Sequence, residues 1–211
     1  MSSPLPVARR PGRPPKIGPS RLETREALVR CGVEIFTEKG FNSTGVEEVL
    51  KRVGVPKGSF YHYFASKEEF GLAVIDAYAA YFARKLDRWL LPRERAPLAR
   101  VADFVADACV GMRRFDFRRG CLVGNLGQEM CALNDVYRER LDAVLRDWEA
   151  RLAACLRVAQ QAGELAADAD CDGLASFFWI GWEGAVLRAK LVRGSAPLDL
   201  FAARFFAALP H

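Results

Sequence analysis

Apolar residues recur at helical spacing from Ser20 to the end of the chain, and no stretch alternates in the manner of a strand. Leu28, Cys31, Gly32, Ile35 and Phe36 fall at i, i+3, i+4, i+7 and i+8, which is one buried helix face. Ser20 and Glu23 form a Ser-x-x-Glu capping box before that stripe, and Gly40 closes it. A second box, Thr44 and Glu47, precedes Val46, Val49, Leu50 and Val53, and Gly54 stops this shorter helix. Val55-Pro56 restarts the chain, because proline suits a first helical turn. Phe60 and Phe64, one turn apart, predict a third helix of about two turns with both rings inward. Ser66 and Glu69 open a longer fourth helix bearing Phe70, Ala73, Val74, Ala77, Tyr78, Tyr81, Phe82 and Leu86.

Past Pro92 and Pro97 the helical pattern runs to about Arg114, pauses at Phe115-Asp116-Phe117 and restarts near Cys121. Stretches from Asn134 to Ala162 and from Asp172 to Arg193, parted by Gly163 and an Asp-rich turn, predict two long antiparallel helices. A last helix after Pro197 sets Leu198, Phe201, Phe205 and Leu209 on one side. The predicted fold is all-α. Residues 1–19 form a flexible basic arm, 20–66 a three-helix helix-turn-helix domain, and 67–211 a larger helical domain for effector binding and dimerisation.

Charge sharpens this division. The 31 Lys and Arg residues exceed the 26 Asp and Glu by five, and five cations, Arg9, Arg10, Arg13, Lys16 and Arg21, precede the first acid, Glu23. A basic arm on a neutral body points to a polyanion met at one end. Pro4, Pro6, Pro11, Pro14, Pro15 and Pro19 keep that arm extended. Its Gly12-Arg13-Pro14 resembles the core of AT-hook segments, which place arginine in narrow minor grooves, although Pro11 stands where a hook is normally basic. A merely solvated tail is the alternative.

No apolar run is long enough to span a bilayer and no signal-peptide core is seen, so a soluble, cytoplasmic protein is expected. Six cysteines without a C-x-x-C pair, and histidine only at His62 and His211, argue against both a disulfide framework and a metal site. No motif calls for a cofactor.

Two short helices around Gly54-Val55-Pro56, buttressed by a third, can present one helix to a major groove. With Phe60 and Phe64 inward, its other face offers Lys57, Gly58, Ser59, Tyr61, His62 and Tyr63. Lysine can donate to guanine, whereas tyrosine and histidine suit phosphate oxygens.

Phe36 to Phe41, Thr44, Gly54 to Phe64 and Ser66-Lys67-Glu68 closely resemble the DNA-binding domain of the TetR family. That resemblance implies an all-α homodimer that represses transcription until a small effector enters the C-terminal domain. By matched position it implies that Lys57 and Gly58 approach bases, that Tyr61, His62 and Tyr63 meet phosphate, and that Thr44 and Lys67 hold the DNA backbone. Gly45 departs from the serine or threonine common in the family, which puts one hydroxyl contact in doubt.

Gly120 to Glu129 and Trp179 to Lys190 resemble the subgroup of acrylate-responsive and N-ethylmaleimide-reductase repressors, in which Cys121 and Lys190 match a sensing cysteine and its partner lysine. Independently, Cys121 at a helix start after Arg118 and Arg119 is expected to favour thiolate, with Asn125 and Gln128 on its face to hold a carbonyl or carboxylate. An inert cysteine among packing glycines remains open beside this reading. Trp179, Trp182, Glu183 and Lys190 can border a pocket, or the tryptophans can be plain core. Gly181, Gly184 and Ala185 offer a flat face to a dimer partner, as does the final phenylalanine stripe. The expected partners are operator DNA, a small-molecule effector and a second copy of the chain. A cysteine enzyme is disfavoured, since neither histidine is placed to serve Cys121 as a base.

Overall fold

The computed structural model describes residues 20–211, which contain no strand. Helices α1 (Arg21–Lys39) and α2 (Val46–Val53) are followed by a 3₁₀ helix (Lys57–His62), then α3 (Lys67–Leu90), α4 (Pro97–Arg114) and α5 (Leu122–Met130). Long α6 (Asp135–Gln161) and α7 (Cys171–Val192) precede α8 (Ala196–Ala207). The basic arm, with Arg13, lies outside the described residues.

Caps fall mainly where the local chemistry places them. The Ser20 hydroxyl accepts from the Glu23 N–H while Glu23 accepts from the Ser20 N–H, and Gly40 and Gly54 end α1 and α2 at positive φ. Thr44 is the exception. Gly45 caps α2 without a side-chain bond, and the buried Thr44 hydroxyl donates instead to the Gly40 carbonyl at 2.6 Å. The third helix is 3₁₀ rather than α, with Ser59 N–H donating to the Pro56 carbonyl and Tyr63 N–H to that of Phe60. The long helix expected as the fourth is therefore α3.

α3 runs from the small N-terminal unit into the body, packing on α1 at one end and on α4 and α6 beyond. The body's core is aromatic: fully buried Trp148 meets Phe82 at 4.3 Å and Trp179 at 5.0 Å between ring centroids. α6 and α7 pack along one another as expected, and α8 packs on α7.

The final stripe turns inward. Leu198 and Phe205 are buried, with Phe205 and Phe201 at 5.0 and 5.5 Å from Phe178 of α7. A β-carbon on Gly181 would lie 2.2 Å from the Phe201 ring, so Gly181 seats α8 within the protomer and Ala185 is core. Of the three residues expected to face a partner, only Gly184 is open. The exposed apolar stripe is instead Phe177, Ile180, Leu187 and Leu191 on the outer face of α7.

Candidate functional site

A six-residue 3₁₀ helix has too few internal hydrogen bonds to hold its own shape, so its position comes from what lies beneath it. Phe60 and Phe64, each 1 % exposed, pack with Phe70 at 5.7 and 5.0 Å. Arg25 of α1 stacks its guanidinium 4.8 Å from the Phe64 ring, and Arg21 donates to the His62 carbonyl. Above this layer Lys57, Gly58, Tyr61 and His62 are exposed, Ser59 and Tyr63 half-buried. A β-carbon on Gly58 would meet nothing within 4 Å, leaving its backbone open to close approach. Lys57 Nζ lies 2.5 Å from the Glu47 carboxylate, and both side chains are well exposed, so the pair contributes only about 0–1 kcal/mol and yields readily to a stronger anion.

Thr44 and Lys67 are placed differently from the surface residues. Thr44 is buried and its hydroxyl is occupied by Gly40, so it braces the entry to α2 instead of reaching outward. Lys67 Nζ donates to the Phe41 carbonyl at 2.8 Å and lies over the Phe41 ring at 4.3 Å, and burial lowers its pKa.

The second feature is a cavity of about 650 Å³ between α1, α3, α4, α7 and the loop before α5. Tyr78, Tyr81, Phe82, Met112, Trp182 and Val186 give it an apolar wall, and Arg30, Arg84, Lys85 and Arg119 add cations. Its size falls within the range of small-molecule sites. Asp116 and Phe117, at φ 50° and 54°, carry left-handed backbone without being glycine, so the loop that forms this rim holds local strain.

Of the residues expected to border a pocket, Cys121, Trp182 and Glu183 line this cavity. Their chemistry corrects the thiolate reading. Burial raises the Cys121 pKa well above its ordinary value, and the adjacent Glu183 carboxylate raises it further, against a smaller opposing contribution from a backbone hydrogen bond at Gly124. Arg119, expected to activate the thiol, pairs instead with Glu34 at 3.4 Å and Glu38 at 4.0 Å. Cys121 itself is the N-cap of α5, with extended backbone, so counting i+4 and i+7 from it does not find its neighbours.

Asn125 and Gln128 accordingly lie elsewhere. Asn125 Nδ2 donates to the Phe36 and Thr37 carbonyls, both at 3.1 Å, and Gln128 is exposed outside the cavity. Lys190 is also outside it: the lysine stem covers Gly120, and Nζ donates to Asn125 Oδ1 at 3.4 Å. Trp179 is core against Trp148. Tyr78, Tyr81, Phe82 and Met112 were not foreseen, because an aromatic on an apolar helix face looks the same whether it meets core or cavity.

The last turn of α1 joins the two features. Its Thr37 carbonyl accepts from Gly120 N–H at 3.1 Å as well as from Asn125, so residues bracketing Cys121 finish the helix. The Asn42 N–H donates to Glu129 at 2.7 Å, and the Tyr137 hydroxyl donates to the Glu68 carbonyl at 2.8 Å.

A helix-turn-helix mounted on a helical body with a cavity at their junction defines a one-component transcriptional regulator. Residues 28–74 match the bacterial regulatory proteins of the tetR family, and residues 97–205 match the tetracyclin repressor-like C-terminal domain. The chain belongs to the TetR family of transcriptional regulators, whose members bind operator DNA and dimerise. It is 54 % identical to the transcriptional regulator AcuR of Cereibacter sphaeroides, over 95 % of this chain and 91 % of that protein. It is 32 % identical to the HTH-type transcriptional repressor NemR of Escherichia coli K12, over 84 % and 89 %. The crystal structure of regulatory protein TetR from Rhodobacter sphaeroides, 55 % identical, superposes with a TM-score of 0.85 over 88 % of this chain and 98 % of that one. The fold and these relatives are those of transcription regulators, not enzymes. Among the described residues no helix is long and apolar enough to cross a membrane.

Proposed function

We propose that this regulator represses transcription by holding operator DNA through the face Lys57 to Tyr63, and that a small molecule seated in the cavity releases it. The observation that carries this reading is the cavity's position: one wall is α1, which belongs to the DNA-binding unit, and the others are α3, α4 and α7 of the body. An occupant that moves the strained loop 115–120 or tilts α3 displaces the reading helix without needing a long relay. Release requires that the effector prefer the DNA-incompetent state by about 1–3 kcal/mol. Residues to about 66 form the DNA-binding domain in this reading and the rest the effector and dimer domain. The exposed stripe on α7 suits a second copy of the chain, and a two-fold pair would present two reading helices to successive half-sites.

The test is fluorescence anisotropy on operator DNA with a panel of small unsaturated acids and aldehydes. Gly111 lines the cavity, and a β-carbon there meets nothing within 4 Å, so Gly111→Phe fills the space without a clash at its root. Release is expected to fall at least tenfold in Gly111→Phe, judged against that variant's own effector-free affinity. Full release by the filled variant would place the effector elsewhere. Burial of the Cys121 thiol favours reversible occupancy over covalent capture, since the thiol and not the thiolate is present.

Base reading has its own test. Lys57→Ala is expected to weaken operator binding by about 1–3 kcal/mol while changing binding to random DNA much less. Equal losses on both DNAs, measured at one salt concentration, would reassign Lys57 to phosphate.

A further inference from the structure

Three polar groups meet in the otherwise apolar inner wall of the cavity: the Glu183 carboxyl from α7, the Tyr78 hydroxyl from α3 and the Cys121 thiol at the head of α5. All three side chains line the same wall, and the space beside Gly124 is bordered by both Glu183 Oε2 and Cys121 Cβ. Gly124 makes room for the carboxyl, since a β-carbon there would collide with Glu183 Oε2. Nothing cationic pairs with Glu183 among the described residues. Lys85 is held by Asp107 at 2.7 Å, Arg119 by Glu34 and Glu38, and Lys190 by Asn125. Arg30 and Arg84, which line the cavity, make no ion pair among the described residues.

We propose that Glu183 and Tyr78 are the hydrogen-bond donors that grip the carboxylate of an apolar effector, so that each effector bound requires a proton on Glu183. This rests on the reading of the cavity as the effector site and adds to it a recognition group and a proton requirement. The donor role follows from the surroundings. An unpaired carboxylate on an apolar wall is costly, and burial raises the Glu183 pKa to about 7. In its acid form the side chain presents an O–H, which with the Tyr78 phenol makes two donors and leaves no strong competing acceptor beside them. Tyr78 stays protonated throughout, because burial raises its pKa well above the ordinary tyrosine value. An acid-to-carboxylate hydrogen bond is of the short, charge-assisted kind. With Glu183 in its acid form, Arg30 and Arg84, which have no ion partner among the described residues, leave the cavity with a positive balance that favours an anion over a neutral carbonyl. The charged groups facing the space are Arg30 and Glu34 from α1, Arg84 and Lys85 from α3 and Arg119 from the loop, with Tyr78 and Cys121 closest to Glu183.

The sign of the pH dependence follows. Below about pH 7 Glu183 already holds its proton and affinity is level. Above it, a proton must be taken up with the ligand, so affinity falls by up to about tenfold per pH unit.

The full-length protein is titrated calorimetrically with acrylate and with cinnamate between about pH 6 and about pH 8.5. Wild-type protein should show that falling limb and, in two buffers of different ionisation enthalpy above neutrality, net proton uptake. Glu183→Gln, a permanent donor of nearly the same shape, should bind with an affinity independent of pH. Equal slopes in both proteins, absence of proton uptake in the wild type, or failure of both carboxylates to bind would overturn the proposal. Proton uptake is read on the unaltered protein and does not depend on the variant folding. Carboxylate binding that survives Gly111→Phe would instead remove the cavity as the site, which separates failure of the underlying reading from failure of the Glu183 role.

Discussion

Phe64→Ala is expected to lower the stability of the protein by about 3–5 kcal/mol, or roughly 6–20 °C in Tm, and to abolish operator binding at temperatures where the fold survives. Phe64 is 1 % exposed and touches Phe60, Phe70 and the Arg25 guanidinium, so truncation leaves a void directly beneath the reading helix. That helix is a single 3₁₀ piece with most of its surface side chains in solvent, and the Phe60–Phe64 layer is the largest buried support beneath it, beside the Arg21 contact and its packing on α2. DNA affinity should therefore fall by more than the global stability loss accounts for. Urea denaturation gives the first quantity, and anisotropy at low temperature gives the second. A stability loss below about 1 kcal/mol would mean that the void collapses and that the layer is less rigid than its packing implies.

The second large effect is expected at Gly40. Its backbone lies at φ 86°, ψ 176°, a region that residues with a β-carbon rarely enter, and an added β-carbon would stand 1.8 Å from Glu129 Oε1. Gly40→Ala should cost about 2–4 kcal/mol, as strain and overpacking combine. The two causes separate in a cycle with Glu129→Ala, which removes the collision but leaves the backbone conformation. In that background the glycine substitution should cost only about 1–3 kcal/mol. An unchanged cost would mean that the Glu129 side chain swings away freely and that its hydrogen bond from Asn42 contributes little.

Much of the architecture was legible because helix ends are written locally. Ser20 with Glu23, Gly40, Gly54, Ser66, Asn134 and Pro97 each mark a boundary by hydrogen bonding or backbone preference within one turn. Thr44 shows the limit of such reading. Its capping pattern is intact, but burial against Gly40 offers the hydroxyl a competing carbonyl that the pattern does not encode.

The exposed side of the 3₁₀ helix was legible for the same local reason, since Phe60 and Phe64 mark the inner side and leave Lys57, Gly58, Tyr61 and His62 outside. The cavity was half legible. Cys121, Trp182 and Glu183 do line it, whereas Asn125, Gln128, Trp179 and Lys190 do not. Helical spacing says which residues share a face and not what that face meets. Asn125 faces the end of α1, a partner nearly ninety positions away that periodicity cannot reveal. The inward turn of the phenylalanine stripe on α8 has the same origin, because an apolar face serves a neighbour within the protomer as well as one in a second subunit.

The completion of α1 by Gly120 and Asn125 bears on how such proteins can be recombined. A head cut near residue 66 and grafted to an unrelated body would carry a first helix whose Thr37 carbonyl has lost both its donors, Gly120 and Asn125, and whose Phe36 carbonyl keeps only the Gly40 N–H. Exchange of DNA specificity between relatives should thus succeed by replacing surface side chains from Lys57 to Tyr63, or by moving the head together with α5, and fail when the domain is transplanted alone.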